Sequence, residues 1–366
     1  MSLSTEALLA FAQRTDPLAE AAVEGLPRLR PYQLLGAVEE KAASGDAPAR
    51  RFLEAAFTVP KWVDFDRVER GATVSRTHGF AHLLALNFGA LLEGYASYSL
   101  SAPLVATGRL RQDTRKRLYE TGQVFHNGRQ EGALRPGEPG HRSILAVRLL
   151  HAMVRRHLVR VGYESPDGGA FVHQLDMAHT AVQVCHVGRR GLARLGVDLP
   201  REDIEALHHF ARLVHTWHGV DEQLLPETVE ESAELHARLA ELRYEPSNPA
   251  AQPLVHAAID AMTHSPPFFL PRAALAAVTR LLIGDALADA WALGEPGPWR
   301  HSVAAILATS RSASRLALAA PRMFAPPLRW AQESMYMHAL ARGLGEAPKR
   351  AFGPLADHRR GRRASL

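Results

Sequence analysis

A chain of 366 residues has the length of about two average domains, or of one large helical unit. Of its 43 Lys plus Arg only Lys41, Lys61, Lys116 and Lys349 are lysines, so 39 are arginines, and the net charge is +5. A single cysteine, Cys185, excludes an internal disulfide and any cysteine-based zinc or iron–sulfur centre, and the dispersed arginines suit internal ion pairs or an anionic ligand rather than nucleic acid.

The first residues, MSLSTEALLAFAQRTDPLAEA, have no basic segment before an apolar core, and Arg14 and Asp16 interrupt them early, which makes a cytoplasmic location the expectation. Alternating β-branched runs bounded by hairpin dipeptides do not occur, whereas apolar residues recur at spacings of three and four throughout. Pro and Gly clusters at 27–31, 58–60, 101–103, 135–140, 165–169, 246–253, 266–271, 294–298 and 325–327 divide the chain into about ten or more helix-sized pieces. The expected architecture is all-α, a single large helical bundle without internal repeats.

The most apolar stretch, Gly79 to Gly108, contains His82, Glu93 and several Gly and Ser, and reads as one or two buried core helices rather than a membrane span. Its Phe80, Leu83, Leu84, Leu86, Phe88 and Leu91 suit either core packing or the walls of an apolar pocket. In the next helix Arg117 and Thr121 are one turn apart with Glu120 close by; they fit a surface ion pair or an inward anchor for an acid group.

His151, in Ser143-ILAVRLLHAMVRRHL, shares a helical stripe with Ile144, Val147, Val154 and Leu158, and the pattern sets Arg148, Arg155 and Arg156 elsewhere. An imidazole in an apolar stripe needs a partner, either a backbone carbonyl or a metal. Downstream, Asp176 with His179 and Glu205 with His208 repeat a carboxylate–imidazole spacing of three, which di-iron bundles use together with two further carboxylates, for which Glu93 and Glu120 are candidates. Cys185 and His186 are adjacent and point apart on a helix, so Cys185 is expected in the core. Helix starts are legible at Asp198-Leu-Pro-Arg-Glu-Asp and Pro226-Glu-Thr-Val-Glu-Glu, and the chain ends in a basic RRGRRASL. No nucleophile elbow, phosphate loop or His-Glu-x-x-His is present.

The segments Phe52-LEAAFTVPKWVDFDRVERG71, Arg117-LYETGQVF125, Val147-RLLHAMVRR156, His173-QLDMAHT180, Leu213-VHTWHGVDEQLLPETVEES232 and Arg280-LLIGDALADAWALG294 follow one another in an order that resembles the catalytic domain shared by bacterial rubber oxygenases (latex-clearing proteins) and fungal MpaB-type oxygenases. The resemblance spans about residues 30 to 345. It implies a globin-like core, an N-terminal helical extension at 1–30, a catalytic domain at 31–345 and a basic tail at 346–366. It further implies haem b with His151 as axial iron ligand, and Arg117 and Thr121 beside the haem. Rubber oxygenases carry a lysine just before that threonine; here the residue is Glu120, which disfavours a lysine-capped iron.

The resulting expectation is a haem-dependent oxygenase using dioxygen to oxidise, or cleave at a carbon–carbon double bond, an apolar small molecule. It has neither a nucleic-acid nor a membrane partner. A haem or apolar-ligand carrier without turnover and a di-iron oxidase are the alternatives from other classes.

Overall fold

The computed structural model describes residues 3–106, 114–165 and 168–345, and all regular structure within them is helical apart from one isolated bridge between Ser97 and Tyr244. In chain order the α-helices are α1 (Thr5–Ala10), α2 (Pro17–Val23), α3 (Pro31–Ala43), α4 (Ala47–Phe57), α5 (Phe65–Thr77), α6 (Gly79–Leu84), α7 (Leu91–Gly94), α8 (Tyr98–Ala106), α9 (Thr114–Gly128) and α10 (Pro139–Arg160). There follow α11 (Gln174–Val182), α12 (Gly188–Arg194), α13 (Arg201–Trp217), α14 (Val229–Arg243), α15 (Ala251–Met262), α16 (Arg272–Ile283), α17 (Asp285–Ala290), α18 (Arg300–Ala319) and α19 (Pro321–Leu344). Two π-helical segments, Ala85–Ala90 between α6 and α7 and Gln183–Val187 between α11 and α12, pack against each other.

Local chemistry explains most boundaries. Prolines at the first turn open α2, α3, α4, α10 and α19, where a missing N–H costs nothing. Thr228 caps α14 in a reciprocal capping box with Glu231, as Pro226-Glu-Thr-Val-Glu-Glu suggests. Near Asp198 the cap instead falls on Pro200, with Glu202 and Asp203 in the first turn of α13.

Two expected breaks are not breaks. Helix α8 runs through 101–103, and α19 runs through Pro326 and Pro327. Those two prolines withhold donors from the carbonyls of Arg322 and Met323, both exposed residues whose carbonyls water can satisfy.

The main core gathers α5, α6, α13, α15 and α16 around Phe88, Trp217 and Trp291. Phe80 and Phe88 pack on Phe268, with ring centroids 5.8 and 5.2 Å away, and Leu83 and Leu84 are buried beside them. The stretch from Gly79 is therefore a bent core element, with Gly108 outside the described residues; no helix among the described residues is long and apolar enough to cross a membrane. A second core packs α2, α3 and α4 onto Leu145, Leu149 and Ala152 of α10, and a third packs α1 onto α11 and α14. Cys185 is buried, and burial alone pushes its thiol up to about 12, so it stays neutral. The expected tail, 346–366, lies outside the described residues.

Candidate functional site at the α9–α10 hairpin

Helices α9 and α10 form an antiparallel hairpin that is tightest at its turn. A Cβ on Gly140 would lie 2.7 Å from the carbonyl oxygens of both Asn127 and Ala133, so only glycine permits the approach. Beside it Asn127 Nδ2 donates to Ser143 Oγ at 2.9 Å, and Gly128 packs against Ile144.

From that contact onward the two helices are anchored to different elements. Helix α9 is anchored by Arg115 Nε donating to the Ala261 carbonyl at 2.8 Å, by Tyr119 Oη donating to that of Pro266 at 2.6 Å, and by Tyr336 Oη of α19 donating to that of Gly122 at 2.9 Å. Helix α10 is anchored to α2 by Arg148 and Arg155.

Thr121 lies seven residues before Gly128 and His151 seven after Ile144, each two turns, about 10 Å, along the stripe that faces its partner at the turn. Arg117 and Arg155 follow at eleven. Thr121 is exposed, and His151 and Arg117 are half-buried. Neither Arg117 nor Thr121 hydrogen-bonds His151 among the described residues. Arg117 lies near Tyr95, where burial pushes the phenol up to about 12 against the opposing pull of that guanidinium. Glu120 pairs with Lys116 at 4.0 Å rather than serving as a bridge to Arg117.

Around His151 the sequence pattern needs one correction. Arg148 and Arg155 are one turn before and after it on the same side of α10, not on another face, because spacings of three and four return to one face. Arg148 makes a two-point contact with Asp16, at 2.6 and 3.1 Å. Arg155 bonds Glu20 at 2.6 Å and the Val172 carbonyl at 3.0 Å. With both cations neutralised by α2, His151 need not hold a charge. Burial, reinforced by Arg155 and only partly offset by Asp16, pushes it down to about 4, and its Nδ1 is buried without a hydrogen-bond partner.

Sequence reasoning missed the two histidines that face it from the end of α13. His218 lies with its ring centroid 6.4 Å from that of His151, and His215 lies 5.5 Å from His218. Burial pushes His215 down to about 4 and His218 well below the usual imidazole range, and the Nε2 of each lacks a partner. Their signal was present in Leu213-VHTWHG, where two histidines three apart share a face. Among the described residues no three His, Cys, Asp or Glu side chains are placed to hold one metal ion between them. The residues present thus fit a group that needs one neutral imidazole, not a multi-ligand metal centre.

The di-iron alternative is not supported by where its residues go. Asp176 accepts from Ser99 and Arg243, each at 2.7 Å, while Glu205 lies on the surface between Arg201 and Arg67. His208 Nε2 is 3.2 Å from the Pro226 carbonyl. Glu93 is buried in a different network: His236 Nε2 donates to it at 2.8 Å, Tyr244 Oη at 3.2 Å, and Arg190 pairs with its other oxygen. Burial opposes the charge on Glu93, but His236 and Arg190 outweigh it and hold the carboxyl below its usual range. A carboxylate so committed is a structural anchor between α7, α12 and α14.

Neutral buried imidazoles make the fold acid-labile. His82 is pushed down to about 3, and His151, His208 and His215 to about 4, against 6.5 for an unfolded histidine. Their folded values are depressed, so their contribution is complete above pH 6.5 and is lost as pH falls through the folded values. Each such group removes up to about 1.4 kcal/mol of stability per pH unit in that window. A melting temperature that declines steadily from pH 7 to about 5 is the expected result; a flat profile would contradict the neutral, buried assignment.

Comparison with known proteins adds the family. A sequence model described as ER-bound oxygenase mpaB/B′ and rubber oxygenase, catalytic domain, matches residues 76–316. The chain belongs to this family. The matched range holds the whole α9–α10 hairpin with Arg117, Glu120, Thr121 and His151, and membership places the chain among oxygenase-family enzymes. No curated protein sequence matches it. Among solved structures, that of latex clearing protein LCP in the closed state is similar, with a TM-score of 0.60 and 20% identity over 90% of this chain and 95% of that one. The likeness establishes a shared all-α fold.

Proposed function

We propose that this chain is a haem b-dependent oxygenase in which His151 is the axial iron ligand and an apolar small molecule is oxidised, or cleaved at a carbon–carbon double bond, with dioxygen. The reading rests on one observation: His151, on α10, is a neutral imidazole with an uncommitted ring nitrogen, and the neighbouring helix α9 carries Arg117 and Thr121. Family membership supports it.

Haem b, when bound, supplies the one-electron and dioxygen chemistry that side chains lack. The chain's own residues do the rest. His151 stays deprotonated at neutral pH and so offers a lone pair rather than an N–H⁺. Arg117, permanently charged and half-buried, would hold an acid group of the haem or stabilise negative charge that develops during oxidation. Thr121 presents a hydroxyl one turn away. Glu120, paired with Lys116, puts a carboxylate where rubber oxygenases have lysine and offers iron no amine.

An absorption spectrum of the purified protein, oxidised and then reduced under carbon monoxide, tests the cofactor directly: a Soret band that shifts on carbon monoxide binding is expected. Arg117→Ala is expected to lower turnover by on the order of 10²-fold while leaving most of the haem bound. Equal losses of haem and turnover would make Arg117 structural instead.

A further inference from the structure

The helical hairpin of α18 and α19 carries a surface that nothing above uses. Residues 296–332 contain five arginines, Arg300, Arg311, Arg315, Arg322 and Arg329, and no acidic residue. Arg311, Arg315 and Arg322 are exposed and have no ion-pair or hydrogen-bond partner among the described residues. Large apolar side chains stand out beside them around the hairpin bend at Ala320: Leu316 and Leu318 before it, and Met323 and Trp330 after it, the last two 68% and 52% exposed. Met323, Pro327 and Trp330 fall at i, i+4 and i+7, one stripe of α19.

Between the helices runs an apolar groove of about 570 Å³, lined chiefly by Ala308, Ala313 and Leu316 of α18 and Phe324, Pro327 and Leu328 of α19. The opposite face of α19 is held in the core by Glu333, Tyr336 and Leu340, so the exposed stripe is not a misplaced core face.

We propose that this hairpin docks on an anionic lipid surface, with Leu316, Leu318, Met323 and Trp330 entering the headgroup boundary and Arg311, Arg315 and Arg322 pairing with lipid phosphates. Charge complementarity selects this occupant. Within residues 296–332 every charged side chain around the apolar residues is basic, which is what an interfacial helix needs, and a second copy of the same surface would place like charges opposite one another. Each arginine near an anionic surface adds attraction that salt removes. Surface docking departs from the expectation of no membrane partner; the absence of a spanning helix among the described residues does not bear on it. The proposal stands independently of the haem reading.

Vesicle co-sedimentation of the full chain tests it, using phosphatidylcholine vesicles with and without phosphatidylserine. Binding to the anionic vesicles is expected to be at least about tenfold stronger, and to be lost at about 1 M salt, where the Debye length is near 3 Å. A variant with L316S, M323S and W330S, and another with R311Q, R315Q and R322Q, should each weaken it about tenfold or more while leaving the circular dichroism unchanged. A third variant, R359Q with R360Q, R362Q and R363Q, should retain binding. Three results would overturn the proposal: equal binding to neutral vesicles, loss only in that third variant, or a dimer in gel filtration that both hairpin variants dissociate.

Discussion

His151→Ala yields a protein that purifies with at least about tenfold less haem than the parent, while its helical circular dichroism is retained. The two halves of this expectation have separate physical grounds. Haem retention depends on the proposed bond from the His151 imidazole to iron; Arg148 and Arg155 beside it are cations held by Asp16 and Glu20, and the neighbouring imidazoles, His215 and His218, lie at the end of α13 rather than on α10. Fold retention follows because His151 is half-buried and its Nδ1 makes no hydrogen bond to be lost. An exchange of this kind costs about 1 kcal/mol. The adjacent imidazoles are the control. His218→Ala and His215→Ala should keep the haem and the Soret position, since the proposal gives the bond to iron to His151 alone. If His218→Ala strips the haem and His151→Ala does not, the ligand has been placed one helix too far.

How far the sequence could reveal this site depended on which interaction fixed each residue. The all-α class was legible because it is set locally, by three-and-four spacing, by first-turn prolines such as Pro139, and by the Thr228–Glu231 capping box. The candidates Arg117, Thr121 and His151 were legible through family resemblance, and they fall in one hairpin. That His151 lies beside His218 depends on α10 packing against α13, and that Asp16 and Glu20 hold Arg148 and Arg155 depends on α2 packing on α10; both are long-range contacts that periodicity does not encode. Glu93 shows the opposite failure: its place in an apolar stretch made it a candidate carboxylate for a di-iron bundle, whereas His236 and Arg190, about a hundred residues or more away, make it an anchor. The prolines at 326 and 327 misled for a third reason, since solvent at the exposed carbonyls of Arg322 and Met323 can replace the missing donors.

The largest stability effect is expected at a buried ion pair that sequence reading did not single out. Arg129 is fully buried and Glu333, on α19, is 2% exposed; their Nη2 and Oε1 atoms lie 2.6 Å apart. Gln130 donates to the other carboxylate oxygen at 2.9 Å, and the guanidinium stacks over Tyr336 at 4.7 Å. Burial raises the Glu333 pKa, but Arg129 and His126 outweigh it and keep the carboxyl ionised below its usual range. Its contribution is therefore present at neutral pH and lost as acid protonates it. Glu333→Leu strands a guanidinium in the core and should cost about 3–5 kcal/mol, read as a lower urea midpoint at unchanged slope. Arg129→Leu should cost a similar amount by stranding the carboxylate. The double variant should be more stable than either single one, because two apolar side chains of similar volume remove both desolvation penalties together. Additive losses would show that the two residues act separately. Because Tyr336, three residues beyond Glu333, holds Gly122 next to Thr121, breaking the pair also frees α9 to move relative to α10. Glu333→Leu should thus lower haem retention without touching Arg117, Thr121 or His151.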